Sequence, residues 1–205
     1  MGTKGTSGIQ FWYDFTSTYS YLAAARVDRV AAERSIVVEW KVFLLGPIFA
    51  EQGWNDSPFN IYPAKGRYMW RYLERRCTAA GVAIARPSQF PRNGLLAARV
   101  ALLAEPEGWS PKFGRAVFQA NFAEDRDISS WDTVSEIVTS IGQDADSLYE
   151  RAMTETNKDA LKKRTRKAAK LGLFGAPTFV VGDELFWGDD RLEDALDHAA
   201  RAAGA

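Results

Sequence analysis

Cysteine and histidine are almost absent from this sequence. Its 205 residues include one of each, Cys77 and His198. A single cysteine excludes an internal disulfide, a pair of redox cysteines and a zinc site built on several cysteines. A single histidine leaves very little material for a histidine-based triad or a histidine-rich metal site. We therefore expect no metal, and chemistry that depends on hydroxyls, carboxylates, Lys or Arg side chains, backbone dipoles or a bound cofactor.

The sequence also lacks an excess of charge of either sign and any long apolar run. Lys plus Arg and Asp plus Glu each number 26, so no overall field attracts nucleic acid or an anionic membrane. No run of 18 apolar residues is present to span a membrane. The first eight residues match a myristoylation pattern in form, but they lack the apolar part of a secretory signal, and we expect a polar leader. A cytoplasmic protein with no nucleic-acid or membrane partner is expected.

Strand and helix patterns are clear at the start of the chain. The sequence has 46% hydrophobic and 25% charged residues, which is ordinary for a folded protein with a substantial core. Residues 9–15 are rich in β-formers and predict a strand, and residues 36–43 predict a second one. Between them, residues 20–34 combine strong helix formers with an apolar stripe. A strand–helix–strand unit of this length favours two parallel strands.

The end of the chain returns to strands after a long helical middle. Residues 46–63 carry several glycines and prolines and are predicted to be mostly loop. No strand is predicted within 64–171. Strands are predicted at 178–181 and 184–187, as a hairpin that precedes a helix from about residue 189. Helices are predicted in the middle at 64–81, 93–105, 111–124, 131–141, 145–153 and 156–171.

Three motifs, in order along the chain, resemble those of one known family. They are FWYDFTSTYSYLA near the N-terminus, PAKGRYMWRYLER at 63–75 and FGAPTFVV…FWGDDRLE at 174–193. Together with the order of elements, they resemble DsbA-like thioredoxin-fold proteins, and among these the 2-hydroxychromene-2-carboxylate isomerases and the kappa-class glutathione transferases. The resemblance implies an α/β, thioredoxin-like fold (βαβ…ββα) with a large all-helical insertion. The thioredoxin-like domain would comprise 9–63 and 172–205, and the inserted helical domain would comprise 64–171.

Ser17 is the predicted catalytic residue. It lies where the first turn leads into a helix, so it can be the N-cap of that helix. The start of a helix favours an anion, and a hydroxyl there can donate a hydrogen bond to sulfur and lower a thiol pKa. The resemblance implies that Ser17 stabilises the thiolate of bound glutathione, and plain N-capping is the alternative. The family usually has proline next, where this chain has Thr18, which leaves the turn more freedom.

The resemblance assigns further residues to glutathione. Ala176 precedes Pro177, whose peptide bond is expected to be cis, and the backbone of Ala176 would pair with the cysteinyl part of glutathione as an added strand would. A proline that merely begins a strand is the alternative. Asp190 would pair with the ammonium of the γ-glutamyl end, with Asp189 and Arg191 as weaker candidates. Acids at a helix start also complement the helix dipole, which is the structural alternative.

Two further candidates lie earlier in the chain. Lys65 matches a family lysine that approaches the glycine carboxylate of glutathione or the acid of the substrate. Asn55 matches a family asparagine that contacts glutathione. Many relatives carry lysine where Ala50 stands, so one anion contact is lost here. Aromatic side chains are expected to line a pocket between the sheet and the helical block; the candidates are Trp54, Tyr68 and Trp187.

Two enzymatic functions and one binding function remain open at this point. The first is a glutathione-dependent isomerase of 2-hydroxychromene-2-carboxylate or a related aromatic unsaturated carboxylate, with glutathione as a covalent catalyst. The second is a kappa-like glutathione transferase, which would release a conjugate. The third is a non-catalytic thioredoxin-like binding module. A homodimer is expected by analogy with the family, and a disulfide oxidoreductase is excluded because it needs two cysteines.

Overall fold

Four strands form one mixed sheet. The computed structural model describes residues 8–204, so the expected leader lies outside this range except for Gly8. Strand β1 (Gly8–Tyr13) runs parallel to β2 (Val37–Val42) and antiparallel to β3 (Thr178–Val181). Strand β4 (Glu184–Trp187) pairs antiparallel with β3, which gives the order β2-β1-β3-β4.

Eleven α-helices make up most of the described residues outside the sheet. Within residues 8–204, no helix is both long and apolar enough to cross a membrane. A single 3-10 turn, Asp189–Arg191, precedes the last helix. The α-helices are α1 Thr18–Ala24, α2 Val27–Ala32, α3 Leu45–Glu51, α4 Pro58–Ile61, α5 Pro63–Ala80, α6 Leu95–Ala104, α7 Ser110–Phe122, α8 Trp131–Ser140, α9 Ala145–Met153, α10 Glu155–Lys170 and α11 Leu192–Gly204.

The sheet and the helical block share one apolar core. Phe11, on the central strand β1, packs edge-on against Trp40 of β2 and stacks with Phe179 of β3. The same cluster continues into the helical block through Phe113 and Phe118 of α7. The strand order and the βαβ…ββα sequence confirm the predicted thioredoxin-like fold with a helical insertion. The division into two domains stays a prediction.

The predicted helix at 20–34 is wrong in one respect, because it is two helices. Helix α1 starts at Thr18 and ends at Ala24, and α2 begins at Val27. Arg26, between them, has a non-helical backbone (φ −133°, ψ −16°). Its guanidinium contacts Glu193 and the backbone carbonyl of Asp189, at the start of α11. The break therefore directs a cation to the last helix, which local helix propensity does not encode.

The prediction of a loop over 46–63 is also wrong, because α3 and α4 occupy most of it. Its prolines mark helix starts, where a missing N–H is no loss. Pro58 is the first residue of α4, and the Oγ of Ser57 caps that helix by accepting from Phe59 N at 3.3 Å. Pro63 begins α5, which ends as predicted at Gly81, whose φ is +64°.

Gly66 sets how closely α4 approaches α5. A Cβ at this position would lie 2.2 Å from the backbone carbonyl oxygen of Phe59. We expect Gly66→Ala to lower the free energy of unfolding by about 1–3 kcal/mol, because a backbone atom must move. Gly46→Ala in α3 is the matched control: its Cβ meets nothing within 4 Å, so stability should change by less than about 1 kcal/mol, upwards. Chemical denaturation checks both, and equal effects would contradict the argument.

Candidate active site

Ser17 joins the first turn to the segment that precedes β3. It is the N-cap of α1, with an extended backbone (φ −84°, ψ 116°), and its Oγ accepts from Ser20 N at 3.1 Å. The same Oγ donates to the carbonyl oxygen of Ala176 at 2.7 Å. The Ala176–Pro177 peptide bond is cis, as predicted. One hydroxyl therefore connects two segments that are 159 residues apart in sequence.

Thr18 is the first residue of α1, at the position where proline was expected from the family resemblance. Its side chain is buried, and its hydroxyl donates to the Sδ of Met69 in α5 at 3.2 Å. The extra freedom expected for this turn is therefore limited by a contact with the helical block. A proline at this position has no hydroxyl and could not form the hydrogen bond that joins α1 to α5 here.

Asp14 shapes the turn that carries Ser17, and the sequence analysis gave it no role. Its Oδ1 accepts from Thr16 N and its Oδ2 from Leu45 N, both at 2.7 Å. Leu45 is the first residue of α3, so its N–H has no acceptor within the helix, and the Asp14 carboxylate provides one. Burial raises the pKa of Asp14 above its ordinary value, against the two backbone hydrogen bonds, which lower it.

A pocket of about 960 Å³ opens beside Ser17, between the sheet and the helical block. Ser17, Ala176, Asp189 and Asp190 reach it from the sheet side. Asn55 and Lys65 also line it, together with the expected aromatic residues Trp54, Tyr68 and Trp187. Pro177 and Arg191 do not line it. Ala50 does, which confirms that the lost lysine position faces this pocket.

Lys65 is the only basic residue among those that line the pocket in the described part of the chain. It lies exposed in the first turn of α5, with its Nζ 4.7 Å from the centre of the Tyr62 ring. Within residues 8–204 it forms no ion pair, and the side chain of the exposed Asn55 forms no hydrogen bond. Both side chains are free to meet a ligand.

The three acidic-turn candidates differ in their surroundings. The carboxylate of Asp189 is buried and accepts from Arg76 Nη2 at 3.1 Å and from the Tyr72 hydroxyl at 3.4 Å. Burial raises its pKa, while the Arg76 guanidinium lowers it. Asp190 is about half exposed, and Arg191 pairs with both Asp190, at 3.4 Å, and Asp194, at 3.0 Å. Asp190 is therefore the more exposed of the two acids that line the pocket at this turn.

Three aromatic rings in mutual contact form the wall of the pocket on the α5 side. Tyr19, one residue beyond Thr18, lies 5.6 Å from Tyr72 and 5.9 Å from Phe59, measured between ring centres. Burial raises the pKa of Tyr19 to about 12. The sequence analysis missed Tyr72 and Phe59. Tyr72 could have been predicted from helical spacing, because Lys65, Tyr68 and Tyr72 lie on one face of α5.

A second aromatic pair stands at the opposite rim. Phe174 and Trp187 are 50% and 52% exposed and meet edge-on at 4.8 Å. Gly175 allows this arrangement, because a Cβ there would lie 2.3 Å from the indole Nε1 of Trp187. The two aromatic walls make the pocket suited to a planar, apolar ligand.

The remaining reactive side chains lie away from this pocket. Cys77 is fully buried in α5, as predicted, and burial raises its pKa to about 11. His198 lies in α11 with its ring 5.5 Å from that of Phe186. Neither lines the pocket, so the reactive group at Ser17 is a hydroxyl with no protein thiol or imidazole beside it.

Comparison with known proteins agrees with this architecture. The chain is 28% identical to a 2-hydroxychromene-2-carboxylate isomerase of Sphingobium xenophagum, over 92% of this chain and 95% of that one. It is 26% identical to glutathione S-transferase kappa 1 of Rattus norvegicus, over 90% of this chain and 87% of that one. A solved structure of a 2-hydroxychromene-2-carboxylate isomerase superposes with a TM-score of 0.85, at 22% identity, over 96% and 98% of the two chains.

The family itself is established by a match along nearly the whole chain. Residues 8–200 match the family described as the DSBA-like thioredoxin domain. This range includes the first strand, the entire helical block and the hairpin with its cis-proline. The chain therefore belongs to the DsbA-like thioredoxin domain family.

Proposed function

We propose that this protein is a glutathione-dependent isomerase of 2-hydroxychromene-2-carboxylate or a related aromatic unsaturated carboxylate. The observation that carries the proposal is the position of the Ser17 hydroxyl, at a helix start and 2.7 Å from the carbonyl of Ala176, on the wall of a large aromatic pocket. The names of the isomerase and kappa transferase relatives support it. Two cysteines would be needed for disulfide exchange, and the chain has one.

The residues around the pocket fit glutathione in an extended form. The N–H of Ala176 has no acceptor within residues 8–204, and its carbonyl accepts only from Ser17. An extended peptide could therefore pair with Ala176 as an added strand does. Asp190 would pair with the ammonium of the γ-glutamyl end, and Lys65 or Asn55 would hold the glycine carboxylate. Asp189, paired with Arg76 and Tyr72, would support the turn that carries Asp190.

Ser17 would stabilise the thiolate by donating a hydrogen bond to it. Its Oγ already accepts a hydrogen bond from Ser20 N, which makes its own O–H a stronger donor. A rotation about the Cβ–Oγ bond would redirect that O–H from the Ala176 carbonyl to sulfur and keep the hydrogen bond from Ser20 N. When bound, glutathione supplies the nucleophilic sulfur that adds to the conjugated bond of the substrate and leaves again unchanged. We assign Ser17 the role of a donor and not of a base, because within residues 8–204 its Oγ hydrogen-bonds to Ser20 N and to the Ala176 carbonyl and to no basic side chain.

The aromatic walls and the scarcity of positive charge define the substrate class. Tyr19, Phe59 and Tyr72 on one side and Phe174 and Trp187 on the other suit an aromatic ring. Lys65 is the only basic residue on the described pocket wall, so even if Asn55 holds the glycine carboxylate of glutathione, the substrate is expected to carry no more than one carboxylate. Two acid groups would leave one unpaired in a largely apolar site.

The test is glutathione binding by calorimetry, followed by titration of the glutathione thiol through its ultraviolet thiolate absorbance. We expect binding together with a thiol pKa below that of free glutathione, and turnover of 2-hydroxychromene-2-carboxylate with glutathione recovered unchanged. Binding without a lowered thiol pKa would favour the non-catalytic binding module. Absence of binding at millimolar glutathione would contradict the enzyme proposal.

A kappa-like glutathione transferase is the second candidate, favoured by the match to the rat kappa enzyme. The same assay separates the two, because a transferase consumes one glutathione for each product and leaves a thioether in the product. An isomerase needs glutathione only in catalytic amount. A homodimer and a cytoplasmic location stay predictions.

Lys65→Gln tests the anion contact. We expect the Kd for glutathione to rise about threefold to fivefold, since an exposed ion pair contributes roughly 0.6–1 kcal/mol. Lys163→Gln, an exposed lysine of α10 outside the pocket, is the matched control and should leave Kd unchanged. Calorimetry measures both. A normal Kd with a raised substrate KM would instead assign Lys65 to the carboxylate of the substrate.

A further inference from the structure

Arg99 is a cation that the fold leaves without an anionic partner. It lies in the middle of α6 and faces a second pocket of about 330 Å³ on the helical block. Its Nη1 reaches only the Sδ of Met153, at 3.4 Å. Its Nε is shielded from solvent and has no hydrogen-bond acceptor within residues 8–204, and no carboxylate of that range lies within 4 Å of its guanidinium.

Such an arrangement is costly unless something compensates for it. A buried donor without an acceptor costs about 1–3 kcal/mol, and buried polar groups in proteins are nearly always paired. Ser129, on the same pocket wall, does not compensate, because its hydroxyl donates to Asp127 at 2.7 Å. Most other arginines that are partly buried here have acids beside them; Arg26 pairs with Glu193, and Arg164 with Glu105. Arg99 therefore lines a pocket in which a ligand could supply the missing hydrogen-bond acceptor.

The other wall of this pocket is aromatic. The rings of Trp131, at the start of α8, and Tyr149, in α9, lie 4.7 Å apart and are tilted by 51°. Tyr149 is 38% exposed, so part of the pair is open to solvent. A guanidinium offers two parallel N–H groups to a carboxylate, and ring walls suit a flat ring. A volume near 300 Å³ is at the lower end for small-molecule sites.

We propose that the pocket bounded by Arg99, Trp131 and Tyr149 binds a small aromatic carboxylate, with the carboxylate on Arg99 and the ring against the two aromatic side chains. This site is separate from the pocket at Ser17 and does not depend on the proposed function. The two pockets share Asn93 and Leu95, at the start of α6. A ligand at Arg99 would therefore lie next to residues that also form the wall of the Ser17 pocket.

The test uses benzoate as the probe and fluorine NMR of the full chain labelled with fluorotryptophan. The chain has 7 tryptophans, and Trp131→Phe identifies the resonance of Trp131. We expect benzoate to shift this resonance in a saturable way, and glutathione to leave it in place. Arg99→Gln should weaken the benzoate Kd by about tenfold or more, because a charge-assisted hydrogen-bond pair is lost. Arg166→Gln, an exposed arginine of α10, is the matched control and should leave it unchanged.

A second variant keeps the test decisive if Arg99→Gln folds poorly. Tyr149→Ala removes a partly exposed ring and should weaken benzoate severalfold without loss of the folded near-ultraviolet signal. Inorganic phosphate, which offers an anion without a ring, should bind more weakly than benzoate. The proposal is overturned if the Trp131 resonance does not respond, if Arg99→Gln binds benzoate as the wild type does, or if phosphate binds as tightly as benzoate.

Discussion

Replacing Ser17 with Ala is expected to lower kcat/KM about 10²-fold to 10³-fold, the usual loss when one donor to a developing or stabilised anion is removed. The thiol pKa of bound glutathione should return towards its free value. The Kd for glutathione should change little, because the contacts proposed for its backbone and its two ends, with Ala176, Lys65 and Asp190, would remain. The structure gives the reason: Ser17 Oγ is the hydroxyl beside the carbonyl of Ala176.

The loss of a helix cap has to be separated from the loss of a thiolate donor. Ser17→Ala also removes the bond from Ser20 N, so the free energy of unfolding should fall by about 1 kcal/mol. Ser130→Ala is the matched control, because Ser130 caps α8 in the same way, by accepting from Asp132 N, and does not line the pocket. It should lose similar stability and no activity. Equal activity losses in both variants would assign Ser17 a structural role alone.

Replacing Arg92 with Met is expected to lower the free energy of unfolding by about 3 kcal/mol or more. The guanidinium of Arg92 is buried and bonds to Ser88 at 3.0 Å, to the side chain of Asn121 at 3.2 Å and to the backbone carbonyl of Asp125 at 3.2 Å. It also pairs with the carboxylate of Asp125. Hydrogen bonds to a charged group contribute about 1.5–3 kcal/mol each, and a methionine leaves the buried Asn121 side chain without this donor.

The effect should extend to the candidate active site. Asn121, held by Arg92, donates to the backbone carbonyl of Phe15 at 3.1 Å, immediately before the turn with Ser17. Phe90 to Leu95, the segment around Arg92, supplies part of the pocket wall. We therefore expect weaker glutathione binding together with lower stability, measured by calorimetry and by denaturant titration. Arg126→Met, which breaks only the exposed pairs with Glu124 and Glu136, should change stability by less than about 0.5 kcal/mol.

The ends of the chain were predicted well because their signals are local. Alternating β-formers and the turn at Gly182-Asp183 predict strands at 178–181 and 184–187, and the structure has β3 and β4 there. Ser17 was predicted as an N-cap from its residue type and position, and it is one. The cis bond before Pro177 is confirmed, although that prediction came from family resemblance and not from the residues alone.

Predictions failed where a distant contact determined the local structure. The first helix is interrupted at Arg26, whose guanidinium contacts Glu193 and Asp189. These partners are more than 160 residues away in sequence, so the local pattern does not indicate the break. Helix α3 forms in a segment predicted as loop, and the free N–H at its start is satisfied by Asp14, 31 residues earlier. Hydrophobic periodicity reports only on residues within a few positions of each other, so it cannot indicate such distant partners.

The sequence by itself determined the fold class, and its resemblance to a known family indicated some of the residues that line the candidate active site. It did so because strand alternation, helix starts and motif order depend on neighbouring residues. The tertiary structure alone decided which of those residues are free to act. Asp189 and Asp190 are adjacent in sequence, yet Asp189 is buried against Arg76 while Asp190 stays half exposed. Arg99, likewise ordinary in sequence, has no acidic partner within residues 8–204, where α6 packs against α8 and α9. Burial and pairing are properties of distant neighbours, and these emerge only when the chain is folded.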